Sequence, residues 1–89
     1  MNPDENRPTL TVLIVNRNAA SYLRECLQSL LETVGDISTE LILVDGSSND
    51  DSVSIAKAMW PSVRVMVVPE NLGYVRGNNV GLEQARGRY

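Results

Sequence analysis

The residues that could do chemistry fall in three polar blocks, each placed after an apolar run. Leu41-Ile42-Leu43-Val44 leads into Asp45 and then into Gly46-Ser47-Ser48-Asn49-Asp50. An acid at the end of such a run is fixed by the core behind it and needs partners at the strand tip. Leu10 to Val15 leads into Asn16-Arg17-Asn18. Val63 to Val68 leads through Pro69 into Asn71 to Asn79, which holds Arg76, Asn78 and Asn79. Amides, hydroxyls, a strand-end acid and two arginines suit a nucleotide. A carboxylate accepts from a base N–H or from ribose hydroxyls, and a guanidinium pairs with phosphate. Taken singly, each of these is equally an ordinary loop residue. Neither GxGxxG after the first apolar run nor GxxxxGK[ST] occurs, so dinucleotide Rossmann and P-loop chemistries fit poorly.

Composition removes other classes. The 89 residues allow one domain, and 43% of them are hydrophobic, enough for a packed core. There is no His, which excludes imidazole catalysis and His metal ligation. The single cysteine, Cys26, cannot form an internal disulfide and reads as a small core residue. A net charge of −3 without a basic run gives no footprint of nucleic-acid binding. No apolar run approaches the about 20 residues that span a bilayer. Residues 1–8 read as a flexible polar lead-in without the apolar stretch of a signal peptide, and the expected compartment is cytoplasmic.

The elements that must position the three blocks follow from periodicity. Leu10 to Val15, Leu41 to Val44 and Val63 to Val68 are short, β-branched runs of the kind buried on both faces in parallel sheets. Between the first two, Leu23, Leu27, Leu30, Leu31 and Val34 recur at helical spacing. A helix over about 20–34 is expected, capped by Asn18 or Ser21 and stopped by Gly35. A second helix is expected over 50–60, with Ser48 or Asn49 as cap, a stripe of Val53, Ala56, Met59 and Trp60, and Pro61 at its end. The turn Pro69-Glu70-Asn71-Leu72-Gly73 precedes a third helix over about 74–85. There Gly73, Gly77 and Gly81 share one face. Each interior glycine costs about 1 kcal/mol against alanine, so something should approach that face closely, a packed element or a ligand. The order βαβαβα implies an α/β fold with a three-layer, Rossmann-like parallel sheet over residues 9–89. Ligands of such sheets bind beyond the carboxyl ends of the strands, where the three blocks gather.

The blocks Leu10-Thr-Val-Leu-Ile-Val-Asn-Arg-Asn, Leu43-Val-Asp-Gly-Ser-Ser-Asn-Asp and Pro69-Glu-Asn-Leu-Gly-Tyr-Val-Arg-Gly-Asn-Asn-Val-Gly, in this order, carry a resemblance. Together they are similar to the start of a family 2 glycosyltransferase with the GT-A fold, closest to its rhamnosyltransferase-like branch. The resemblance covers nearly the whole chain after Thr9. It implies the N-terminal, nucleotide-binding part of an enzyme that moves a sugar from a nucleotide-diphosphosugar (UDP-, TDP- or GDP-linked) to an acceptor.

The resemblance also implies roles by position. Val15 and Arg17 match the turn that flanks the base, and Asn16 and Asn18 shape it. Asp45 matches an acid that holds base or ribose. Ser48 and Asp50 match the turn that follows, and Arg76, Asn78 and Asn79 lie in the block on the nucleotide-sugar side. Arg17 stands where an aromatic is common, and Gly46 where Asn or Asp is common. In the family, a fourth strand beside the first ends in an Asp-x-Asp motif that holds a divalent metal (Mg or Mn), and a catalytic base comes later. Neither matches a residue here, so the resemblance implies a truncated chain with no cofactor and no catalytic residue of its own. Without that fourth strand, the topology leaves Leu10–Val15 as an exposed apolar edge, and the chain is expected to self-associate through it or by exchange of its C-terminal segment. The alternative reading is a small α/β binding or interaction domain without chemistry. A flavodoxin-like receiver fits less well, because no acid pair follows the first apolar run.

Overall fold

The computed structural model describes residues 7–69 and 72–89. Residues 1–6 of the expected lead-in, and Glu70 and Asn71 of the expected turn, lie outside them. The elements alternate as β1 (Leu10–Asn16), α1 (Ala20–Val34), β2 (Thr39–Asp45), α2 (Ser52–Met59), β3 (Arg64–Val67) and α3 (Gly73–Gln84). The strands form one parallel sheet in the order β1-β2-β3. Asn16 lies opposite Asp45, and Asp45 opposite Val67, so the three carboxyl ends finish level.

Central β2 is buried on both faces. Leu41, Ile42, Leu43, Val44 and Asp45 are each at most 1% exposed. That is why its sequence is a continuous apolar run rather than an alternation. β1 reads the same way in sequence but is half-buried from Leu10 to Val15, because it is an edge strand.

Period-two alternation sorts the side chains between two helical layers. Leu10, Val12, Ile14, Leu41, Leu43 and Val65 pack with Leu23, Leu27, Val34, Ala56 and Trp60 of the α1–α2 layer. The other face carries α3. A Cβ on Gly77 would stand 3.1 Å from Val15 Cγ1 and 3.7 Å from Val44 Cγ1, and one on Gly81 would collide with Leu13. Close approach of α3 to the sheet therefore accounts for Gly77 and Gly81. Gly73 differs: it has φ +80° and no sheet atom near it.

Several expectations need correction. On α1, Leu23, Leu27 and Val34 are buried, but Leu31 is 41% exposed and Cys26 is exposed. At about 100° per residue, Cys26 and Leu31 sit about 60° and 80° to either side of Leu23. The stripe that meets the sheet is narrower than the apolar pattern. On α2, Ile55 is buried while Val53 and Met59 are half-buried. α2 begins at Ser52 rather than near Asp50, because Ser48 and Asn49 are held by other partners. Gly35 does stop α1, at φ +51°.

The chain after α3 turns back along β1. Tyr89 N–H donates to Thr9 O at 3.1 Å, Thr11 N–H donates to Tyr89 O at 2.8 Å, and Arg88 N–H donates to Pro8 O at 3.2 Å. This is the bonding pattern of a parallel partner. Glu40 anchors the return. It accepts from Arg86 N–H at 2.9 Å and from the Thr11 hydroxyl at 3.0 Å, and it pairs with Arg64 at 3.2 Å. Arg7 adds a bond to Arg86 O at 2.9 Å. The edge expected to be bare over Leu10–Val15 is thus partly covered. Among the described residues, no backbone partner meets it beyond Thr11.

Candidate functional site

At the carboxyl ends of the strands, the loops after β1 and β2 are stitched together. Gly46 N–H donates to Asn16 O at 2.9 Å, which carries the β1–β2 ladder one step past the strands. Side chains then take over. Asn18 N–H donates to Ser48 Oγ at 2.9 Å, Asn49 N–H to Asn18 Oδ1 at 2.7 Å, and Ala20 N–H to Asp50 Oδ2 at 3.1 Å. Asn18 and Ser47 hold positive φ angles of 50° and 56°. A left-handed backbone is uncommon for residues other than glycine, although asparagine tolerates it best. Ser47 Oγ donates to Val68 O at 2.7 Å and so ties the β2 loop to the end of β3.

Asp45 lies at the root of this ladder and is 1% exposed. Its Oδ1 accepts from Ser48 Oγ at 2.7 Å and from Asn16 Nδ2 at 3.1 Å, and its Oδ2 accepts from Ser48 N–H at 2.8 Å. A buried carboxylate is tolerated when its oxygens are met by donors in this way.

Asp50 finishes the ladder at the helix starts. Oδ1 accepts from the N–H of Ser52 at 3.1 Å and from its hydroxyl, while Oδ2 holds Ala20 N–H. One carboxylate therefore caps α1 and α2 together, whereas the sequence pattern offers Asn18 or Ser21 for α1 and Ser48 or Asn49 for α2. The Ser52 hydroxyl, with the Ser52 and Ala20 N–H groups, holds the Asp50 carboxyl below its ordinary range. At the opposite end of the sheet, partial burial raises Glu40. The Arg86 N–H, the Thr11 hydroxyl and Arg64 outweigh it, and its carboxyl is also lowered.

Above Asp45 opens a cleft of about 240 Å³, lined by Val15, Asn16, Arg17, Gly46, Val68, Pro69, Leu72 and Gly73. Val15, Val68, Pro69 and Leu72 give it apolar walls. The stem of Arg17 runs over Gly46, with Cβ, Cγ and Cδ 3.4 to 3.6 Å from where a Gly46 side chain would begin.

Of the residues singled out in the sequence, Val15, Asn16 and Arg17 line this cleft. Asp45 lies beneath it, and Asn18, Ser48 and Asp50 form the ladder beside it. Arg76, Asn78 and Asn79 are exposed on α3. Arg76 and Asn78 sit about 100° to either side of Gly77, and Asn79 sits on the face away from the sheet. Gly46, Val68, Pro69, Leu72 and Gly73 line the cleft without having been named as site residues. Their signal was positional, since each lies just past a strand end or at the start of α3. Among the described residues, no three acidic or thiol groups converge to hold a metal ion. No helix of the described chain is long and apolar enough to cross a membrane.

Comparison with known proteins adds kinship to this geometry. An uncharacterised protein of Mycobacterium tuberculosis is 37% identical over 82 residues, covering 91% of this chain and 25% of that protein. An uncharacterised glycosyltransferase of Haemophilus influenzae is 32% identical over 87 residues, covering 94% of this chain and 34% of its own. A mannosyltransferase of Pyrobaculum calidifontis, solved in complex with GDP-Man and Mn2+, superposes with a TM-score of 0.69 at 26% identity over 89% of this chain and 25% of that one. The chain thus spans about a quarter to a third of the length of these relatives. The fold is that of the GT-A glycosyltransferases. The model of glycosyl transferase family 2 matches residues 11–89, and the chain belongs to that family.

Proposed function

We propose that this chain forms the donor-nucleotide end of a sugar transferase. The cleft takes the nucleoside part of a nucleotide-diphosphosugar (UDP-, TDP- or GDP-linked), and the whole enzyme passes the sugar to an acceptor. One observation carries the reading: an apolar-walled cleft opens at the level carboxyl ends of three parallel strands, where α/β sheets bind ligands. Its about 240 Å³ falls below the roughly 300–1,000 Å³ of sites that enclose a whole ligand, so it suits a nucleoside rather than a complete sugar nucleotide. Val15 and Arg17 flank the base. Asn16, Asn18, Asp45, Ser48 and Asp50 fix the loops around it, and Arg76 and Asn78, exposed on either side of Gly77, lie toward the sugar-diphosphate side, while Asn79 on the outer face of α3 has no such place. The GDP-Man complex of the Pyrobaculum mannosyltransferase supports the class of donor.

The Mn2+ of that complex supports a divalent metal, Mg or Mn, in the full-length enzyme. The described residues do not fit one. Both oxygens of Asp45, Asp50 and Glu40 accept hydrogen bonds or pair with Arg64, and no acidic cluster stands free. The exposed lone thiol of Cys26 suits the reducing cytoplasm.

Calorimetric titration with UDP, TDP and GDP tests the reading. Binding of one of them, weakened by Arg17→Ala, is the expected result. No heat with any of the three at millimolar concentration would instead favour a small non-catalytic interaction domain. The open part of the β1 edge beyond Thr11 supports self-association by strand pairing. A strictly monomeric mass by light scattering across the micromolar range would remove that part of the proposal.

A further inference from the structure

The residue at the tip of β2 is an acid, yet the cleft is lined by its neighbour Gly46 and not by Asp45. Asp45 is 1% exposed, and the three groups that meet its carboxylate are all donors from the protein. The Ser48 hydroxyl passes this anchorage outward. It donates to Asp45 at 2.7 Å and in turn accepts from Asn18 N–H at 2.9 Å. Arg17 stands between the two residues held this way. Asn16 is tied to Asp45 by its amide and to Gly46 N–H by its carbonyl, and Asn18 is tied to Ser48 and Asn49. The backbone on each side of Arg17 is thus fixed from below, and its stem is laid across Gly46.

We infer that Asp45 and Ser48 are positioning residues that set the placement of Arg17 over the cleft, so that Asp45 governs nucleotide affinity without touching the nucleotide. The inference rests on the nucleotide reading of the cleft and deepens it. Its chemistry is specific. The side chain at 48 must donate to a carboxylate and accept from an amide at once, which serine and threonine do and alanine cannot.

The test uses the whole chain, with UDP, TDP and GDP as probes. Ser48→Ala should weaken the nucleotide that binds by about fivefold, the worth of one hydrogen bond. Ser48→Thr should restore affinity to within about twofold. In an Arg17→Ala background, Ser48→Ala should add nothing, because its effect runs through Arg17. An equal loss in both backgrounds overturns the inference, as does a Ser48→Thr variant as weak as Ser48→Ala. If the parent chain binds no nucleotide, the proposed function fails by itself, and the positioning claim is read by NMR on the ligand-free chain. There Ser48→Ala should shift the Arg17 Nε–H resonance and speed exchange of the Asn18 amide by about tenfold or more. Unchanged signals overturn it. If Ser48→Ala does not fold, Ser48→Cys, with its weak donor and acceptor, is measured in the same way and should show the same changes in smaller degree.

Discussion

Replacing Asp45 by asparagine should unfold the chain much more easily, although shape and volume are kept. Three donors face this side chain: Ser48 Oγ at 2.7 Å, Ser48 N–H at 2.8 Å and Asn16 Nδ2 at 3.1 Å. Asparagine offers one acceptor oxygen and one NH2. If the NH2 takes the place of Oδ2, it meets the Ser48 N–H, which cannot turn away. If it takes the place of Oδ1, it meets the Asn16 amide. Either way, a buried donor is left without an acceptor, at about 1–3 kcal/mol, and the surviving bonds fall from charge-assisted to neutral strength, roughly 1 kcal/mol in all. The sum is about 3 kcal/mol. Domains hold about 0.05–0.15 kcal/mol per residue, or about 4–13 kcal/mol for 89 residues, so this is a large share. In urea, with a slope of about 1 kcal/mol per M for so small a domain, the midpoint should fall by about 3 M. Tryptophan fluorescence reports it, since Trp60 is buried in the core. A fall of less than about 0.5 M would refute the reasoning. It would mean that the carboxylate does not depend on these three donors.

Two further predictions follow from the packing and the caps. Gly81→Ala should destabilise by about 1 kcal/mol net, since overpacking Leu13 costs about 1–3 kcal/mol against a helix gain of about 1 kcal/mol. Gly77→Ala, whose new methyl meets Val15 at 3.1 Å, should be close to neutral, and the two midpoints should separate in one thermal scan. The second prediction concerns acid. The folded carboxyls of Asp50 and Glu40 are both lowered, so their stabilising share is complete above the unfolded values of about 3.9 and 4.3 and is lost as pH falls through the folded ones. Stability should therefore decline below about pH 4. Asp50→Asn should make that decline shallower in urea midpoints taken between about pH 4 and pH 2. An unchanged slope would count against the shared cap.

The sequence carried the architecture because burial imposed it. A two-sided central strand has to be apolar throughout, as Leu41–Val44 is, and Gly35 and Pro61 mark helix ends through backbone constraints that any reader of the chain can apply. What lay hidden depended on partners distant in sequence. Periodicity made Cys26 and Leu31 look buried, but only the width of the contact with the sheet shows that they lie outside it. The caps are not legible in the local pattern because Asp50 serves α1 across 30 residues. Asp45 was legible as the end of β2, yet spacing alone does not say which way a strand-end side chain turns. The cleft wall at Gly46, Val68 and Pro69 went unnamed because its residues contribute shape and carry no reactive group.

The shared carboxylate of Asp50 has a bearing on how the chain breathes. Helix starts normally fray one by one, each losing its own cap. Here the first N–H of α1 and the first of α2 hang on the same side chain. Opening either start pulls on a carboxylate whose other oxygen still holds the other start, and Asp50 is poorly placed to hold one end while following the other. The two βα units on that face should therefore open as one cooperative unit, with a common exchange rate for the early amides of both helices. α3, which has no bond to Asp50 among the described residues and packs on the opposite face, would open on a clock of its own.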